Sequence, residues 1–353
     1  MKANQYTFIV ACTLILIPFY SSAQSNVMKH KGYFSLSNYI IPTQIPAVYI
    51  GKVVPPASVK TVKVKLIKDT ARIFTIRNGE LYLKKNKKLT QSSPRVYGVD
   101  LLINETRVSF ELIKDNFARN KVIAHRGAWK HTGAAQNTIR SFIKACEMKC
   151  RGSEFDVWLS KDNVPILAHD PMVAELSVEE STVAQLSRTQ LPTGDYVPTL
   201  ADFITVGKQQ NTTYLVLEVK SSQKGLERSL QLADSIVSIV HQMKAQGWVE
   251  YISFNYEVLQ RIRQLDQAAK ISYLEGDRSV EYIYNDHLSG IDFYHYYYQQ
   301  NPQLVKDAHK LGLTTNIWTV NSEEDLKKYY HSDMDYITTD EPEVLLDIEQ
   351  KYK

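Results

Sequence analysis

Cysteine is scarce in this sequence, with only 3 among 353 residues. Two of them, Cys146 and Cys150, stand four residues apart on a predicted helix, where helix geometry would strain a bridge between them. No neighbouring histidine completes a zinc pattern with them. The scarcity therefore excludes a disulfide scaffold and a cysteine–histidine zinc site, and we expect both residues to act as small apolar side chains on a helix face.

The sequence also lacks a strong excess of positive or negative charge. It has 42 Lys and Arg residues and 38 Asp and Glu residues, which gives a net charge of +4. The only dense basic run, at residues 84–88, is typical of a solvated hairpin end, so the sequence does not predict nucleic-acid binding. With 44% hydrophobic and 23% charged residues, the composition excludes a disordered chain or a coiled coil. The length favours two domains.

Long apolar runs are absent as well, because no segment reaches the roughly 20 residues that a spanning helix needs. The longest run, from Tyr6 to Tyr20, follows a short positive start and precedes the small residues Ser21-Ser22-Ala23. This pattern predicts a signal peptide at residues 1–23, cleaved between Ala23 and Gln24. We therefore predict a secreted, periplasmic or cell-surface protein without a transmembrane segment. We do not predict lipidation of Cys12, because few apolar residues precede it.

Between residues 24 and 116 the patterns are those of β-strands. The hairpin signal Asn78-Gly79 lies between two of these strands. Six or seven short strands predict a small β-sandwich-like accessory domain, with strand patterns at residues 61–66, 73–76, 81–83, 96–103 and 108–113. The run from Phe74 to Leu83 resembles the strand–turn–strand of cadherin-type modules in bacterial surface proteins. No cluster of chemically active residues occurs here, so we interpret the domain as a spacer or docking module whose partner is unknown.

From residue 117 to residue 353, strand and helix patterns alternate. Strand patterns occur at residues 122–124, 154–159, 164–168, 214–219, 248–254, 271–274, 291–293, 315–320 and 336–339. Such alternation predicts parallel strands joined by crossover helices, and eight or nine strands fit a (β/α)8 TIM-type barrel. The predicted fold class is α/β, with the barrel preceded by the small all-β sandwich. In such barrels the active site lies at the C-terminal ends of the strands.

Acidic residues occur where these strands end. Glu154 and Asp156 lie two apart on the second strand pattern, and Glu218 ends what we count as the fourth. Because parallel barrel strands are buried on both faces, inward carboxylates need a counter-charge or a metal. Three carboxylates form an all-oxygen set, which favours Ca²⁺ or Mg²⁺ over Zn²⁺. The other polar residues at strand ends are His125, Arg126, His169, Asp170, Lys220, Trp318 and Asp340.

Two histidines beside an oxygen-ligated metal indicate acid–base chemistry around a bound phosphate, whose charge Arg126 and Lys220 would offset. The segments that carry this set, from about residue 121 to 346, are Ile123–Ala128, Asn137-Thr138, Glu154–Val157, His169-Asp170, Leu217–Lys220, Ser253–Asn255, Asn316–Asn321 and Thr339–Pro342. In order and spacing they resemble the glycerophosphodiester phosphodiesterases. The resemblance implies a phosphoric diester hydrolase that uses one divalent cation, Ca²⁺ or Mg²⁺. It implies hydrolysis of small-molecule glycerophosphodiesters to glycerol 3-phosphate and an alcohol.

The resemblance also implies roles for individual residues. His125 and His169 correspond to the paired catalytic histidines, and we assign the base to His125 and the acid to His169, with roles that can reverse in the second half-reaction. The metal ligands correspond to Glu154, Asp156 and Glu218. The residues on the substrate or phosphate side are Arg126, Lys220, Asn137, Phe254 and Trp318.

Two positions depart from the family pattern. Gln136 stands where the family usually has Glu, so any charge role of that residue is lost, although Asn137 can still cap the next helix and bond towards the first strands. The loop Asp170–Val173 lacks the usual Arg-Thr-Thr continuation, which bears on the leaving alcohol more than on the reaction. We also expect one or two tyrosines of the run 294–298 to line the leaving-group pocket.

Three other functions stay open from the sequence. One is a lysophospholipase D-like lipid hydrolase on the same barrel, which would need an exposed apolar rim beside the site. Another is a non-catalytic surface binding protein, for which Gln136 is the only favourable feature. The third is a structural adhesin, which depends on the cadherin-like run alone.

Overall fold

The computed structural model describes residues 32–352 of the chain. The predicted signal peptide at residues 1–23, its cleavage site between Ala23 and Gln24, and Cys12 lie outside the described residues. The location of the protein therefore stays a prediction. Among the helices of residues 32–352, none combines the length and the apolar character that a membrane crossing requires.

The N-terminal region consists of short strands in two sheets. Its strands are β1 (Ser35–Leu36), β2 (Ile40–Ile41), β3 (Tyr49–Val54), β4 (Val64–Asp69), β5 (Phe74–Arg77), β6 (Glu80–Leu83), β7 (Val96–Ile103) and β8 (Thr106–Lys114). One sheet has the order β1-β3-β6-β5 and the other the order β2-β8-β7-β4. Neighbouring strands are antiparallel except β2 and β8, which are parallel. The all-β prediction is confirmed.

One apolar cluster joins the two sheets. Phe74 and Leu81 enter it from one sheet, and Leu101 and Phe110 enter it from the other, all nearly fully buried. Two half-apolar sheets that cover each other in this way form a sandwich. The hairpin between β5 and β6 turns at Asn78-Gly79, where both residues have the positive φ that such a tight turn requires. The likeness to cadherin-type modules stays a prediction.

The rest of the chain forms a closed parallel barrel. Its eight strands are β9 (Val122–Ala124), β10 (Gly152–Leu159), β14 (Tyr214–Val219), β15 (Val249–Ser253), β16 (Ile271–Tyr273), β17 (Gly290–Tyr294), β18 (Thr314–Trp318) and β19 (Tyr336–Thr339). They pair in chain order, and β9 pairs with both β10 and β19, which closes the sheet. Three shorter strands lie outside the barrel, namely β11 (Pro165–Leu167), β12 (Met172–Val173) and β13 (Leu176–Ser177). The predicted barrel is confirmed.

Helices surround the barrel and bury their apolar faces against it. They are α1 (Ile139–Glu147), α2 (Val183–Leu186), α3 (Leu200–Gly207), α4 (Leu226–Gln242), α5 (Tyr256–Leu265), α6 (Val280–Asn285), α7 (His295–Gln300), α8 (Leu304–Lys310), α9 (Glu323–Tyr330) and α10 (Pro342–Tyr352). Several begin at a side-chain cap, as at α5, where Asn255 accepts a hydrogen bond from the backbone N–H of Val258. The sequence did not predict α2, α6, α7 or α10.

The strand pattern at residues 164–168 belongs to β11, which is not a barrel strand. It pairs antiparallel with β10, Leu159 opposite Pro165. The physical reason is the connection of only five residues between them, because a parallel partner requires a crossover of a dozen residues or more. Our count of strand ends is therefore wrong at this point. His169 follows the antiparallel strand β11 and not a barrel strand. Glu218 and Lys220 lie at the end of the third barrel strand, not the fourth.

The two described cysteines are free, but they do not share a helix face. Helix α1 ends at Glu147, so only Cys146 lies on it, and Cys150 lies in the turn that leads into β10. Burial raises the pKa of the Cys146 thiol to about 12 and that of Cys150 still further. Both side chains act as apolar filling, as expected, although the shared helix face was wrong for Cys150.

The β region packs closely on the barrel. Ile113 of β8 belongs to the apolar cluster between the barrel and its helices. A Cβ atom on Gly247 would lie 2.6 Å from Ile113 Cδ1 and 2.8 Å from Tyr39 Cβ, so only glycine permits this approach. Ser35 Oγ donates a 2.7 Å hydrogen bond to Asp266 Oδ1. Residues 32–352 thus fall in one compact unit, and the boundary between residues 116 and 117 stays a prediction.

A methyl group at Gly247 tests this packing. We expect Gly247→Ala to lower the free energy of unfolding by about 1–3 kcal/mol, because the added atom overpacks a filled contact. Gly98→Ala is the matched control, since its Cβ would meet no atom within 4 Å and should leave stability unchanged or slightly higher. Urea denaturation of both variants measures the difference. Equal stabilities would contradict the close packing.

Candidate active site

The alternation of side chains along β10 and β14 positions the acidic residues. Phe155 and Leu217 point outward into the apolar layer under the helices. Their neighbours Glu154, Asp156 and Glu218 therefore point into the barrel, since successive residues of a strand face opposite sides. The register places Asp156 directly opposite Glu218. The structure thus brings together the three carboxylates that the sequence predicted as metal ligands.

These three carboxylates form one buried cluster. A carboxylate oxygen of each lies within 4.8 Å of an oxygen of the other two. Burial, reinforced by Asp156, raises the pKa of Glu154 well above its usual range and that of Glu218 to about 8. In the part of the chain that the structure describes, Glu154 Oε1 has no hydrogen-bond partner although it is buried. Three acidic groups this close together, one of them with an unsatisfied oxygen, are the kind of site that a hard divalent cation prefers.

Two basic side chains compensate part of the negative charge of the acidic cluster. Lys220 Nζ lies 3.2 Å from Asp156 Oδ1 and 2.8 Å from Glu218 Oε1. Arg126 Nε lies 3.8 Å from Asp156 Oδ2. Burial raises the pKa of Asp156, but Lys220 and the other groups facing it outweigh burial, so this pKa is lowered. Asp156 is therefore the member of the cluster that stays ionised most readily.

The turn after β9 reaches back to the acidic cluster. Arg126 has a φ of 57°, and its backbone N–H donates a 2.8 Å hydrogen bond to Glu154 Oε2. Gly127, at a φ of 81°, has no room for a side chain, because a Cβ would lie 2.4 Å from Ser141 Oγ. The strained turn thus orients one oxygen of Glu154 and leaves the other free.

Asn137 is bound to Asp156 at two points. Its Nδ2 donates to Asp156 Oδ2 at 2.9 Å, and its Oδ1 accepts from the Asp156 backbone N–H at 2.9 Å. The expectation that Asn137 caps the following helix is wrong, because the cap of α1 is Thr138, which forms a capping box with Ser141. Asn137 lies beneath the cluster and supports a carboxylate, so its predicted contact with the substrate stays a prediction.

His125 is oriented by a carboxylate that the predicted site did not include. Its Nδ1 lies 2.7 Å from Asp340 Oδ1, and Asn321 Nδ2 donates to Asp340 Oδ2 at 2.7 Å. A carboxylate at Nδ1 selects the tautomer that carries its proton there and leaves Nε2 as an acceptor. In the sequence, Asp340 follows a predicted strand and Asn321 ends a segment that resembles the family. These two positions were the sequence features that could have indicated this pair.

His169 lies on the far side of the cavity, after β11. Its Nδ1 lies 2.9 Å from Asp170 Oδ1, and Trp158 Nε1 donates to the backbone oxygen of His169 at 3.2 Å. Burial lowers the pKa of His169, although Asp156 acts in the opposite direction. A lower pKa makes the protonated ring a stronger acid and leaves a smaller protonated fraction at neutral pH.

Gln136 occupies the position of the family's usual Glu and contacts Arg126. Its Oε1 accepts a 2.8 Å hydrogen bond from Arg126 Nη1. The amide orients the guanidinium without neutralising it, so the charge of Arg126 is left for an anion. The neutral Gln136 side chain therefore serves to orient Arg126 in this structure.

Aromatic rings form the rim of the cavity. The Trp318 ring lies 5.4 Å from that of Phe254 and 5.1 Å from that of Tyr294. Phe254 and Tyr294 are exposed, at 39% and 41%. Tyr298 is buried and donates to the backbone oxygen of Asn316, so it belongs to the fold and not to a pocket.

One cavity of about 120 Å³ unites most of these groups. The predicted site residues that line it are His125, Arg126, Glu154, His169, Glu218, Lys220, Phe254 and Trp318. Asp156 is not among these lining residues, but it contacts Lys220, which is. A second cavity of about 250 Å³ shares His169 with the first, and Asn137 and Met172 line this second cavity. Asp292 also borders the first cavity, and the sequence analysis missed it because a single Asp within an apolar strand carries no motif.

Comparison with known proteins places this geometry in a family. The model of the glycerophosphoryl diester phosphodiesterase family matches residues 125–344. The glycerophosphodiester phosphodiesterase of Caldanaerobacter subterraneus subsp. tengcongensis is 27% identical over 245 residues, which cover 65% of this chain and 98% of that protein. A glycerophosphodiester phosphodiesterase structure from Parabacteroides distasonis is 34% identical, has a TM-score of 0.64, and aligns over 67% of this chain and 100% of its own.

A further solved structure shows the shared fold alone. It is an Oleispira antarctica phosphodiesterase in complex with the product sn-glycerol-3-phosphate, 22% identical with a TM-score of 0.55, and the match covers 65% of this chain and 96% of that one.

The family match spans more than half of the chain and includes both histidines and all three carboxylates. The predicted barrel and the predicted enzyme class are confirmed, which overturns the non-catalytic binding protein, whereas the adhesin is not tested. The chain belongs to the glycerophosphoryl diester phosphodiesterase family and is an enzyme of that family.

Proposed function

We propose that this enzyme hydrolyses glycerophosphodiesters to glycerol 3-phosphate and an alcohol, with a divalent cation at the acidic cluster and acid–base catalysis by His125 and His169. The observation that carries the proposal is the cavity bordered by both imidazoles and by Glu154 and Glu218 of the acidic cluster. Acid, base and cation are the groups that phosphoryl transfer between oxygens needs close together.

The cation would be held by Glu154, Asp156 and Glu218. Their all-oxygen set suits Ca²⁺ or Mg²⁺, and the unsatisfied Glu154 Oε1 supports the assignment. When bound, the ion would neutralise charge on the phosphate oxygens. Arg126 and Lys220 border the same cavity and add positive charge beside the phosphate.

The histidines would move the protons. In this proposal His125, held at Nδ1 by Asp340, accepts a proton at Nε2 from the attacking hydroxyl, and protonated His169 donates one to the leaving alcohol oxygen. We assign the attack to the neighbouring hydroxyl of the substrate's own glycerol, which forms a cyclic phosphate as the alcohol leaves. Water then opens that ring, with the two histidines in exchanged roles.

Removal of the metal, or of one ligand, tests the cation site. We expect exhaustive treatment with EDTA to abolish diesterase activity, and added Ca²⁺ or Mg²⁺ to restore it. Glu154→Gln should weaken binding of that ion at least tenfold by isothermal titration calorimetry, because it removes the unsatisfied ligand oxygen with little change in shape. Glu175→Gln is the control, since Glu175 is exposed outside the cluster. Activity that survives chelation would remove the metal from the proposal.

Replacement of either histidine tests the acid–base assignment. We expect His125→Ala and His169→Ala each to lower kcat by roughly 10²-fold or more, because each removes a positioned proton carrier. His331→Ala is the control, because His331 is exposed at the start of the loop that leads into β19. Steady-state kinetics are compared with circular dichroism to show intact folding. Near-wild-type activity in both cavity variants would contradict the assignment.

A lysophospholipase D-like activity is the second candidate, and the exposed aromatic rim of Phe254 and Tyr294 favours it. Release of glycerol 3-phosphate from glycerophosphocholine, glycerophosphoethanolamine and glycerophosphoinositol is compared with headgroup release from micellar lysophosphatidylcholine. We expect the soluble diesters to have the higher kcat/KM, because the small cavity suits glycerol without an acyl chain. A preference for the micellar lipid would replace the first candidate with the second.

A further inference from the structure

Asp292 is a buried carboxyl group that no part of the proposed chemistry uses. It lies on β17 and is only 3% exposed, yet it borders the catalytic cavity. Its Oδ1 atom has no hydrogen-bond partner within residues 32–352. A buried acceptor without a donor costs free energy, so its presence calls for an explanation outside the fold.

The strand register explains why the side chain points inward. Its neighbours Ile291 and Phe293 enter the apolar layer beneath the helices, so Asp292 faces the barrel interior. Opposite it stands Asn316, whose Nδ2 donates to Thr338 Oγ1 at 2.8 Å. The backbone oxygen of Asp292 accepts from Trp318 Nε1 at 2.8 Å. The backbone is therefore satisfied. Asn316 also forms a hydrogen bond with the side-chain carboxyl, and Oδ1 is the atom of that carboxyl that lacks a donor.

The acidic cluster does not account for this carboxyl. Asp292 is not a member of the group formed by Glu154, Asp156 and Glu218. Among the described residues, neither Arg126 nor Lys220 forms an ion pair with it. Burial raises the pKa of Asp292 to about 7, and Asn316 lowers it only in part. The carboxyl thus lies in the cavity without a cationic partner.

We propose that Asp292 is a specificity-determining residue that accepts a hydrogen bond from a hydroxyl group of the substrate's glycerol. The inference rests on the proposed function. Glycerol is the part that all glycerophosphodiesters share, and the recessed wall of the cavity suits a constant group. The exposed rings of Phe254 and Tyr294 lie at the rim, where the alcohol that differs between substrates has room.

The consequence of this hydrogen bond is that the site selects substrates whose three-carbon group carries hydroxyls. A site with a buried acceptor rejects an analogue without the matching donor far more strongly than an apolar pocket rejects an extra hydroxyl. A three-carbon phosphate without hydroxyls should therefore bind the native site weakly. Removal of the acceptor should erase most of that difference.

Binding of two phosphates to the metal-loaded protein tests the inference. The probes are glycerol 3-phosphate and propyl phosphate, which differ only in the two hydroxyl groups, and isothermal titration calorimetry gives each Kd. We expect Asp292→Leu to weaken glycerol 3-phosphate about 10- to 100-fold and to change propyl phosphate less than about twofold. Asp292→Asn, which keeps one acceptor oxygen, should lie between. Asp333→Asn, at an exposed site outside the cavity, is the control.

The variant Asp292→Leu should fold, because it replaces an unsatisfied buried carboxyl with an apolar group of similar size. Equal weakening of both phosphates, or of neither, would overturn the inference. So would a wild-type protein that binds the two phosphates equally. If Asp292→Leu lowers kcat/KM for glycerophosphocholine but not for glycerophosphoglycerol, the carboxylate faces the cationic headgroup and the assignment to glycerol is wrong. If the wild-type enzyme cleaves no diester, the proposed function is wrong. The binding comparison does not require turnover, so the two failures can be distinguished.

Discussion

The repulsion among three buried carboxylates is the constraint on which the rest of the site depends. The parallel register of β10 and β14 forces Glu154, Asp156 and Glu218 into one small volume. Lys220 compensates part of that charge, and one oxygen of Glu154 stays unsatisfied. Apolar residues at those positions would give a more stable fold, so the cluster fits a role in the proposed cation binding and not in folding.

The loops at the strand ends support this cluster in different ways. The left-handed turn at Arg126 supplies a backbone donor to Glu154, and Asn137 binds Asp156 through both ends of its amide. Asp340 orients His125 from the end of the neighbouring barrel strand β19. The groups to which we assign the chemistry are therefore held by hydrogen bonds within the protein itself, which is the preorganisation that electrostatic catalysis requires.

The cavity has two chemically distinct parts. Its interior carries the titratable groups of the acidic cluster and Asp292, whereas the exposed ring of Phe254 and the Trp318 ring lie on its aromatic side. Recognition of a constant polar group in the interior and of a variable group at the rim follows from this division. Among the described residues, those of the β-sandwich contribute nothing to the cavity lining, so their close packing on the barrel concerns stability.

Much of this could be predicted from the sequence alone, because local periodicity determines strands and helices. It determined the barrel, the hairpin at Asn78-Gly79 and the residues at the strand ends, including both histidines. Only the tertiary structure decided that β11 leaves the barrel, that Thr138 and not Asn137 caps α1, and that Asp340 orients His125. It alone brought Asp292 to the cavity. The reason is physical: periodicity reports which face of an element is buried, whereas pairing partners and distances across the barrel arise only when the sheet closes.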